Sequence, residues 1–290
     1  MSIPFDARCM ECHLRRNCAT AAKLGTPEQT TAFAKDLLRL YLSAPEDVAS
    51  PWLSPATTDL FRKHFGLPED RFREEKELSN RFVLERIPQI RQRVASAPDP
   101  LFAGLQFAIL GNYIDFSALQ GQVSFEKLDA LLEEGEQIAL DEGVYADLCT
   151  DLEKGRKLLY LTDNAGEIGF DRIFAEEIHR KFPHLEITFC VRGGPAMNDA
   201  TRADAALVGI PFPVIDNGNR VAGTQIDQLS PEAKQALETA DVIIAKGQGN
   251  TETMYGCGYN VYYAFLIKCI RFEEVFAKPK FTPMLVRDPK

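Results

Sequence analysis

The 290-residue sequence contains no apolar run long enough to cross a membrane, and residues 1–20 are too polar and charged for a signal peptide. It also contains no low-complexity tract and no internal repeat. Basic residues are outnumbered by acidic ones, 33 against 42, so the formal net charge is −9. This charge argues against nucleic acid or an acidic membrane as a partner, because both favour a basic surface.

The sequence also lacks an even number of cysteines, since it has seven. An odd number in a chain of this length argues against a disulfide framework and favours thiols in a reducing cytoplasm. The composition, 45% hydrophobic and 26% charged, is that of a soluble globular protein. We therefore expect a cytoplasmic protein, and the sequence leaves its oligomeric state open.

The first half of the sequence is typical of helices. Thr26, Pro27 and Gln29 form a capping-box pattern, and Ser54 opens another helix that Gly66 can close. Gly155 ends the helical pattern, so we predict a helical subdomain over residues 1–155 and an α/β domain over residues 156–290. Further helices are predicted over residues 70–95, 100–119 and 124–154.

The second half alternates short apolar segments with helical patterns. Helices are predicted over residues 171–182, 201–208 and 231–239. This alternation indicates a parallel sheet that is covered on both faces. The predicted strands cover residues 158–161, 187–191, 212–215, 242–245 and 284–286.

Polar residues follow the carboxyl ends of these strands. In a parallel sheet those ends lie at one edge, so the polar residues are expected to lie together. Those that we single out after the first, second and fourth strands are Asp163, Asn164, Glu167, Arg192, Gly193, Asp199, Lys246, Gly247 and Asn250. Carboxylate and carboxamide oxygens suit a divalent cation, and glycine N–H groups can approach a phosphate. Each motif alone is also an ordinary turn or cap, but their coincidence favours a metal and phosphate site.

Three motifs in this order resemble the damage-control phosphatase family, also catalogued as DUF89. They are Asp163-Asn164-Ala165-Gly166-Glu167, Asn198-Asp199-Ala200-Thr201 and Lys246-Gly247-Gln248-Gly249-Asn250. The segment from Gly111 through Asn112 to Asp115 resembles a further family motif. The start Cys9-Met10-Glu11-Cys12 resembles the cysteine-bearing prokaryotic branch of the family.

The resemblance implies a three-layer α/β/α sandwich with a mainly parallel sheet and an N-terminal helical bundle. It also implies a metal-dependent phosphatase that acts on small phosphorylated metabolites with Mn²⁺, Mg²⁺, Co²⁺ or Ni²⁺. By motif, the metal ligands would be Asp163, Asn164 and Asp199. Lys246 would contact the substrate phosphate, with Asn112 nearby.

For the reaction, we expect Lys246 and the N–H groups of Gly193 and Gly247 to offset charge on the phosphoryl oxygens. Arg192 and Asn250 are further candidates for binding substrate. Glu167 or Asp115 could accept a proton from the attacking water. A covalent phosphate on Asp163 is an open alternative, because a carboxylate can act as the nucleophile.

Two other classes of function compete with the phosphatase. A Rossmann-like sheet could bind a nucleotide or S-adenosylmethionine, with Asp216 on a ribose, but the chain has no complete dinucleotide fingerprint or Walker A motif. A non-catalytic metal or redox sensor could use a second metal at Cys9, Cys12 and Cys18. The first two have zinc-like spacing, but no second pair follows, so the alternative is thiols within a helix that are redox-sensitive if exposed.

Overall fold

The computed structural model describes residues 2–114, 125–133, 135 and 138–289. Within these ranges the chain up to residue 154 is helical. The predicted capping box of Thr26 and Gln29 is present, and Gly66 ends a helix with a φ of 66°. The helices are α1 (Ala7–Leu24), α2 (Pro27–Ser43), α3 (Ser54–Phe65), α4 (Arg73–Ser96), α5 (Pro100–Gly111), α6 (Phe125–Glu133) and α7 (Glu142–Lys154).

The remainder alternates strands with helices, as the sequence predicts. The strands are β1 (Lys157–Leu161), β2 (Glu186–Val191), β3 (Val214–Asp216), β4 (Val242–Lys246), β5 (Val261–Leu266) and β6 (Pro283–Arg287). The helices between them are α8 (Glu167–Lys181), α9 (Arg202–Val208), α10 (Pro231–Thr239), α11 (Gly247–Met254) and α12 (Ile270–Phe276).

The six strands form one sheet in the order β3-β2-β1-β4-β5-β6. All neighbours are parallel except β5 and β6, which are antiparallel. The order reverses between β1 and β4, whose register pairs Leu161 with Ala245. A sheet of this kind binds ligands beside such a reversal, at the carboxyl ends of the strands. The fold therefore places the segments after β1 and β4 at the preferred position for a site.

Alternate strand residues enter two different cores, because side chains along a strand point to opposite faces. Leu158 and Tyr160 of β1 pack with α8 on one face, whereas Leu159 and Leu161 pack with α10 and α12 on the other. Helices thus cover both faces, which confirms the predicted α/β/α architecture. Helices α1, α2 and α3 form a further small core around Phe33.

Helix α5 joins the helical half to the sheet, since its residues are buried on nearly every side. Two glycines allow α5 to approach α8: a side chain at Gly111 would overlap Phe170, and one at Gly104 would press on the backbone of Phe174. The predicted division near residue 155 stays a prediction, and a shared core crosses it. No helix of the described ranges is long and apolar enough to span a membrane.

Three elements differ from the prediction. Residues 124–154 form two helices, α6 and α7, instead of one. Strand β5 and helix α11 are two elements that the sequence analysis does not predict. Strand β5 is stabilised by pairing with β4 on one side and β6 on the other, and α11 begins in a glycine-rich segment of low helix propensity. The predicted end of the 100–119 helix lies outside the described residues.

Candidate active site

The loop after β1 is held against the loop after β2 by backbone hydrogen bonds. Ala165 N–H donates to the carbonyl of Asn198 at 2.9 Å, and Ala200 N–H donates to the carbonyl of Asp163 at 2.7 Å. This short antiparallel bridge places Asn164 opposite Asp199. The three side chains that the sequence predicts as metal ligands therefore come from two loops that the fold fixes together.

The Asp163 carboxylate is oriented by two amides. Its Oδ2 accepts hydrogen bonds from Asn112 Nδ2 and Asn164 Nδ2, each at 2.8 Å. The side-chain oxygen of Asn112 accepts from the N–H of Leu266 at 3.1 Å, so β5 holds the Asn112 amide in this orientation. Asn112 is fully buried and acts here on Asp163.

Arg192 braces the second carboxylate of the site. Its Nε donates to Asp199 Oδ2 at 2.6 Å, and another guanidinium nitrogen lies 4.0 Å from Asp163 Oδ1. The same nitrogen donates to Asn250 Oδ1 at 3.2 Å. The Arg192 side chain is buried, so in this structure it holds Asp199 in place from behind.

Lys246 is fully buried and uses all of its donors inside the protein. Its Nζ donates to the carbonyl of Ala108 at 2.7 Å, to Glu167 Oε1 at 2.6 Å and to Asp171 Oδ1 at 2.8 Å. Burial opposes the charge, but attraction to Asp171 and Glu167 outweighs it and raises the pKa of Lys246. The expected contact between Lys246 and a substrate phosphate does not fit this geometry.

Glu167 links Lys246 to the ligand loop. Its carboxylate also accepts hydrogen bonds from Asn112 Nδ2, at 3.0 and 3.2 Å, and from Asn164 Nδ2, at 2.7 Å. Glu167 is fully buried, so it orients its neighbours instead of facing a water molecule. Burial raises the pKa of the adjacent Asp171 to about 7, although Lys246 partly offsets this shift.

Three further residues predicted to contact substrate support the local backbone. Gly193 N–H already donates to Asn217 Oδ1 at 2.8 Å, and Asn250 Nδ2 donates to the carbonyls of Thr162 and Lys246. Gly247 has a φ of 78°, and a side chain there would overlap the Asp163 carboxylate. Asp115, the remaining predicted catalytic residue, lies outside the described residues.

The donor set fits a divalent cation. Asp163, Asn164 and Asp199 offer hard oxygen ligands that line one cavity. The buried carboxylates of Asp163, Asp199, Glu167 and Asp171 outnumber the buried cations Arg192 and Lys246, which leaves an excess of negative charge. Buried charge of one sign is unfavourable unless an opposite charge compensates it. The side-chain oxygen of Asn198, beside Asn164, is also buried without a donor in the described structure.

The amino-terminal cysteines have no comparable arrangement. Within the described residues, no three His, Cys, Asp or Glu side chains form a group that could hold a metal, so a second metal at Cys9, Cys12 and Cys18 has no support. Burial raises the pKa of the Cys9 thiol to about 12, which keeps it protonated at neutral pH.

The ligand side chains open into a cavity of about 640 Å³. Its opposite wall comes from the helical half, through α1, α3 and the turn before α4. Residues there include Arg16, Lys23 and Arg71, and no motif in the sequence indicates that they lie near the predicted ligands. Gln248 and Glu252 on α11 and Lys268 after β5 also line the cavity. Tertiary packing alone brings these two walls together.

Two titratable groups in the cavity wall have shifted pKa values. Burial lowers the pKa of His13 from 6.5 to about 4, and its Nε2 shares a hydrogen bond with Ser50 Oγ at 2.8 Å. Burial raises the pKa of Glu252 to about 7, while hydrogen bonding from Gln248 opposes this shift. Glu252 is therefore a carboxyl group that can exchange a proton near neutral pH.

Asp216, which the nucleotide-binding interpretation places on a ribose, is engaged elsewhere. Its Oδ2 accepts from Arg202 Nε at 2.6 Å, and its Oδ1 accepts from the N–H of Gly218 at 3.1 Å. Asp216 is also not among the residues that line the cavity with Asp163 and Asp199.

Comparison with known proteins gives a consistent family. Residues 5–278 match the domain described as the damage-control phosphatase ARMT1-like domain. The chain is 35% identical over 191 residues to the damage-control phosphatase PH1575 of Pyrococcus horikoshii. The aligned region covers 63% of this chain and 64% of that protein. It is also 35% identical over 193 residues to a damage-control phosphatase of Archaeoglobus fulgidus, with 64% of each chain covered.

Two further comparisons extend over nearly the whole chain. An uncharacterized protein of Methanocaldococcus jannaschii, MJ0202, is 30% identical over 284 residues, or 92% of this chain and 90% of that protein. The crystal structure of the DUF89 family protein PH1575 from P. horikoshii superposes with a TM-score of 0.82 at 26% identity and covers 99% of both chains. The likeness therefore includes the helical half as well as the sheet.

Proposed function

The chain belongs to the damage-control phosphatase ARMT1-like family, and on that basis we propose that it is a metal-dependent phosphatase acting on small phosphorylated metabolites. The observation that carries the proposal is the joining of Asp163, Asn164 and Asp199 by the backbone bridge between two loops. These side chains line a cavity large enough for a ligand of metabolite size. A cytoplasmic location and a phosphomonoester substrate belong to the same proposal.

Under this proposal Asp163, Asn164 and Asp199 hold the cation, which we expect to be Mn²⁺, Mg²⁺, Co²⁺ or Ni²⁺. When bound, a divalent cation withdraws electron density from the phosphoryl group and lowers the pKa of water. The oxygen ligands suit all four ions, so their chemistry does not choose among them.

The protein's own residues fix this arrangement from behind. Arg192 orients Asp199 through the 2.6 Å hydrogen bond, and Asn112 orients Asp163 through the 2.8 Å hydrogen bond. Lys246 and Glu167 form the buried ion pair that anchors the amides of Asn112 and Asn164. We assign these four residues to positioning, because each is buried and its hydrogen bonds to neighbouring side chains of the site hold them in place.

Proton transfer requires a group with a pKa near the working pH. Glu252 meets this requirement within the cavity wall, since burial raises its pKa to about 7. We propose that its carboxyl group exchanges the proton with the attacking water or the leaving group. Asp115 remains the alternative predicted from the sequence.

The test is a phosphatase screen of the full chain, stripped with EDTA and resupplied with each of the four metals. Sugar phosphates and cofactor phosphates serve as substrates, and released phosphate is the readout. The proposal expects turnover that depends on added metal. The absence of turnover in every metal and substrate combination would contradict it.

The Asp163→Asn variant then separates two roles for that residue. If Asp163 is a metal ligand alone, turnover falls but excess metal partly restores it. If Asp163 forms a covalent phosphate, added metal restores nothing, because the nucleophile has been removed. Near-normal turnover of the variant would contradict both roles. Asp227→Asn, at an exposed aspartate, is the matched control.

A further inference from the structure

Arg71 lies in the cavity wall, in the turn between α3 and α4. Its guanidinium carbon is 4.1 Å from the ring centroid of Phe61 and 4.8 Å from that of Phe72. Aromatic packing covers the faces of a guanidinium group but leaves its N–H edges available. Those edges bind carboxylate and phosphate oxygens in pairs.

Among the described residues, no carboxylate pairs with this guanidinium. In the part of the chain that the structure describes, Arg71 has neither a hydrogen bond nor an ion pair with another residue. Burial lowers the pKa of Arg71 to about 10; the nearby Glu75 favours the charge, and the like charge of Arg16 opposes it. Two arginines that face one cavity and repel each other are stabilised when an anion lies between them.

Other residues in the cavity wall also favour binding of a negatively charged group. The wall that carries Arg71 also carries Arg16 and Lys23, and Lys268 adds another positive charge. Glu75 and Glu252 are the carboxylates on this part of the wall, apart from the ligand set. The volume of about 640 Å³ is roughly twenty times the ~30 Å³ share of one water molecule, so it accommodates more than one phosphate group.

We propose that Arg71, with Arg16 beside it, forms an anion subsite for a second negatively charged group of the substrate. This rests on the proposed function, in which the ester phosphate faces Asp163 and Asp199. The substrate class is then a phosphate ester whose leaving group carries its own carboxylate or phosphate. Uncharged leaving groups gain nothing from the subsite and are poorer substrates.

The experiment compares two matched substrate pairs on the metal-loaded full chain. Glycerol 3-phosphate against 3-phosphoglycerate tests a carboxylate, and fructose 6-phosphate against fructose 1,6-bisphosphate tests a second phosphate. For at least one pair, we expect Arg71→Gln to lower the ratio of kcat/KM values, doubly anionic over singly anionic, by about tenfold to a hundredfold, mainly through KM. Arg71→Lys keeps the charge but loses the paired donors, so its ratio of kcat/KM values falls between those of wild type and Arg71→Gln.

Arg73→Gln is the matched control, since Arg73 is an exposed neighbour that pairs with Glu77. An unchanged ratio for both pairs in Arg71→Gln would overturn the subsite. Calorimetric titration with 3-phosphoglycerate separates this failure from failure of the phosphatase proposal. A further outcome is that no ester is hydrolysed while Arg71→Gln still weakens binding of 3-phosphoglycerate at least tenfold more than binding of glycerol 3-phosphate. In that case the anion subsite is supported and the phosphatase proposal is not. Equal binding by wild type and variant overturns it whatever the turnover.

Discussion

Lys246 carries its charge in the interior, where a lone ammonium group would be strongly unfavourable. It is retained because Glu167 and Asp171 lie within 2.6 and 2.8 Å of its Nζ. Removing the ammonium would leave those two carboxylates close together without compensation. At this scale, the stability of the site and its geometry depend on the same charges.

Lys246→Met should therefore destabilise the fold by about 3–5 kcal/mol, because it breaks a buried charge network. Chemical denaturation measured by circular dichroism gives the free energy of unfolding. Lys234→Met, at an exposed lysine, should change it little. A Lys246→Met protein of wild-type stability with only a raised KM would restore the direct phosphate contact that the sequence suggested.

The lowered pKa of buried His13 predicts that the folded protein loses stability in acid. Its pKa is about 4 in the folded protein and near 6.5 in the unfolded chain, so between these values the unfolded state binds more protons. Stability is then complete above pH 6.5 and falls as the pH drops towards 4, by roughly 2 kcal/mol for a partly buried ring. The free energy of unfolding at pH 7 and pH 4.5 should differ less in His13→Gln than in wild type. Equal pH dependence in His13→Gln and wild type would be inconsistent with this; exposed His184→Gln is the control.

The junction of β4 with α11 shows how an element depends on one glycine. Gly247 has a φ of 78° and lies directly against the Asp163 carboxylate. Gly258 has a similar φ of 82° but faces open space. Alanine substitutions at Gly247 and Gly258 therefore separate the effect of backbone strain from that of steric overlap.

Gly258→Ala should cost about 1–2 kcal/mol of stability through left-handed backbone strain, and it should leave turnover intact. Gly247→Ala adds displacement of Asp163, so we expect turnover to fall at least a hundredfold. Unfolding and phosphate-release assays on both variants measure the two effects. The same modest effect in both would show that the contact with Asp163 is unimportant.

Local chemistry explains which elements the sequence predicted. The capping box at Thr26, the serine cap at Ser230 and Gly66 each satisfy backbone groups at a helix end, and each is visible in the sequence. Strand β5 was not predicted, although its six buried residues form the same continuously apolar pattern as β4. Helix α11 was not predicted because glycine at its first and third positions lowers the helix propensity of the segment.

The same limit applies to the site. Asp163, Asn164 and Asp199 could be placed together because parallel strands end at one edge. The burial of Lys246 and Arg192 could not, because a strand end does not reveal whether a side chain turns towards solvent or core. Arg71 was beyond prediction, since its place in the cavity depends on the packing of the helical half against the sheet edge.

At the scale of the whole molecule, the helical half and the sheet share one core through α5 and α8. Gly104 and Gly111 on α5 lie against Phe174 and Phe170 on α8, on opposite sides of residue 155. We therefore expect residues 156–290 alone not to fold cooperatively, because this face of the sheet would be exposed. Thermal melting of that fragment by circular dichroism measures this. A sharp melting transition would instead support two independent domains.

The central claim is that Asp163, Asn164 and Asp199 hold the metal on which turnover depends. The most direct measurement is bound metal per chain together with phosphate release, for stripped and reloaded wild type, Asp199→Asn and the control Asp227→Asn. The account predicts about one metal per chain in wild type and control, with turnover lost on stripping. In Asp199→Asn, circular dichroism should show a folded chain, with both bound metal and turnover strongly reduced. Full metal content and full turnover in Asp199→Asn would contradict the account.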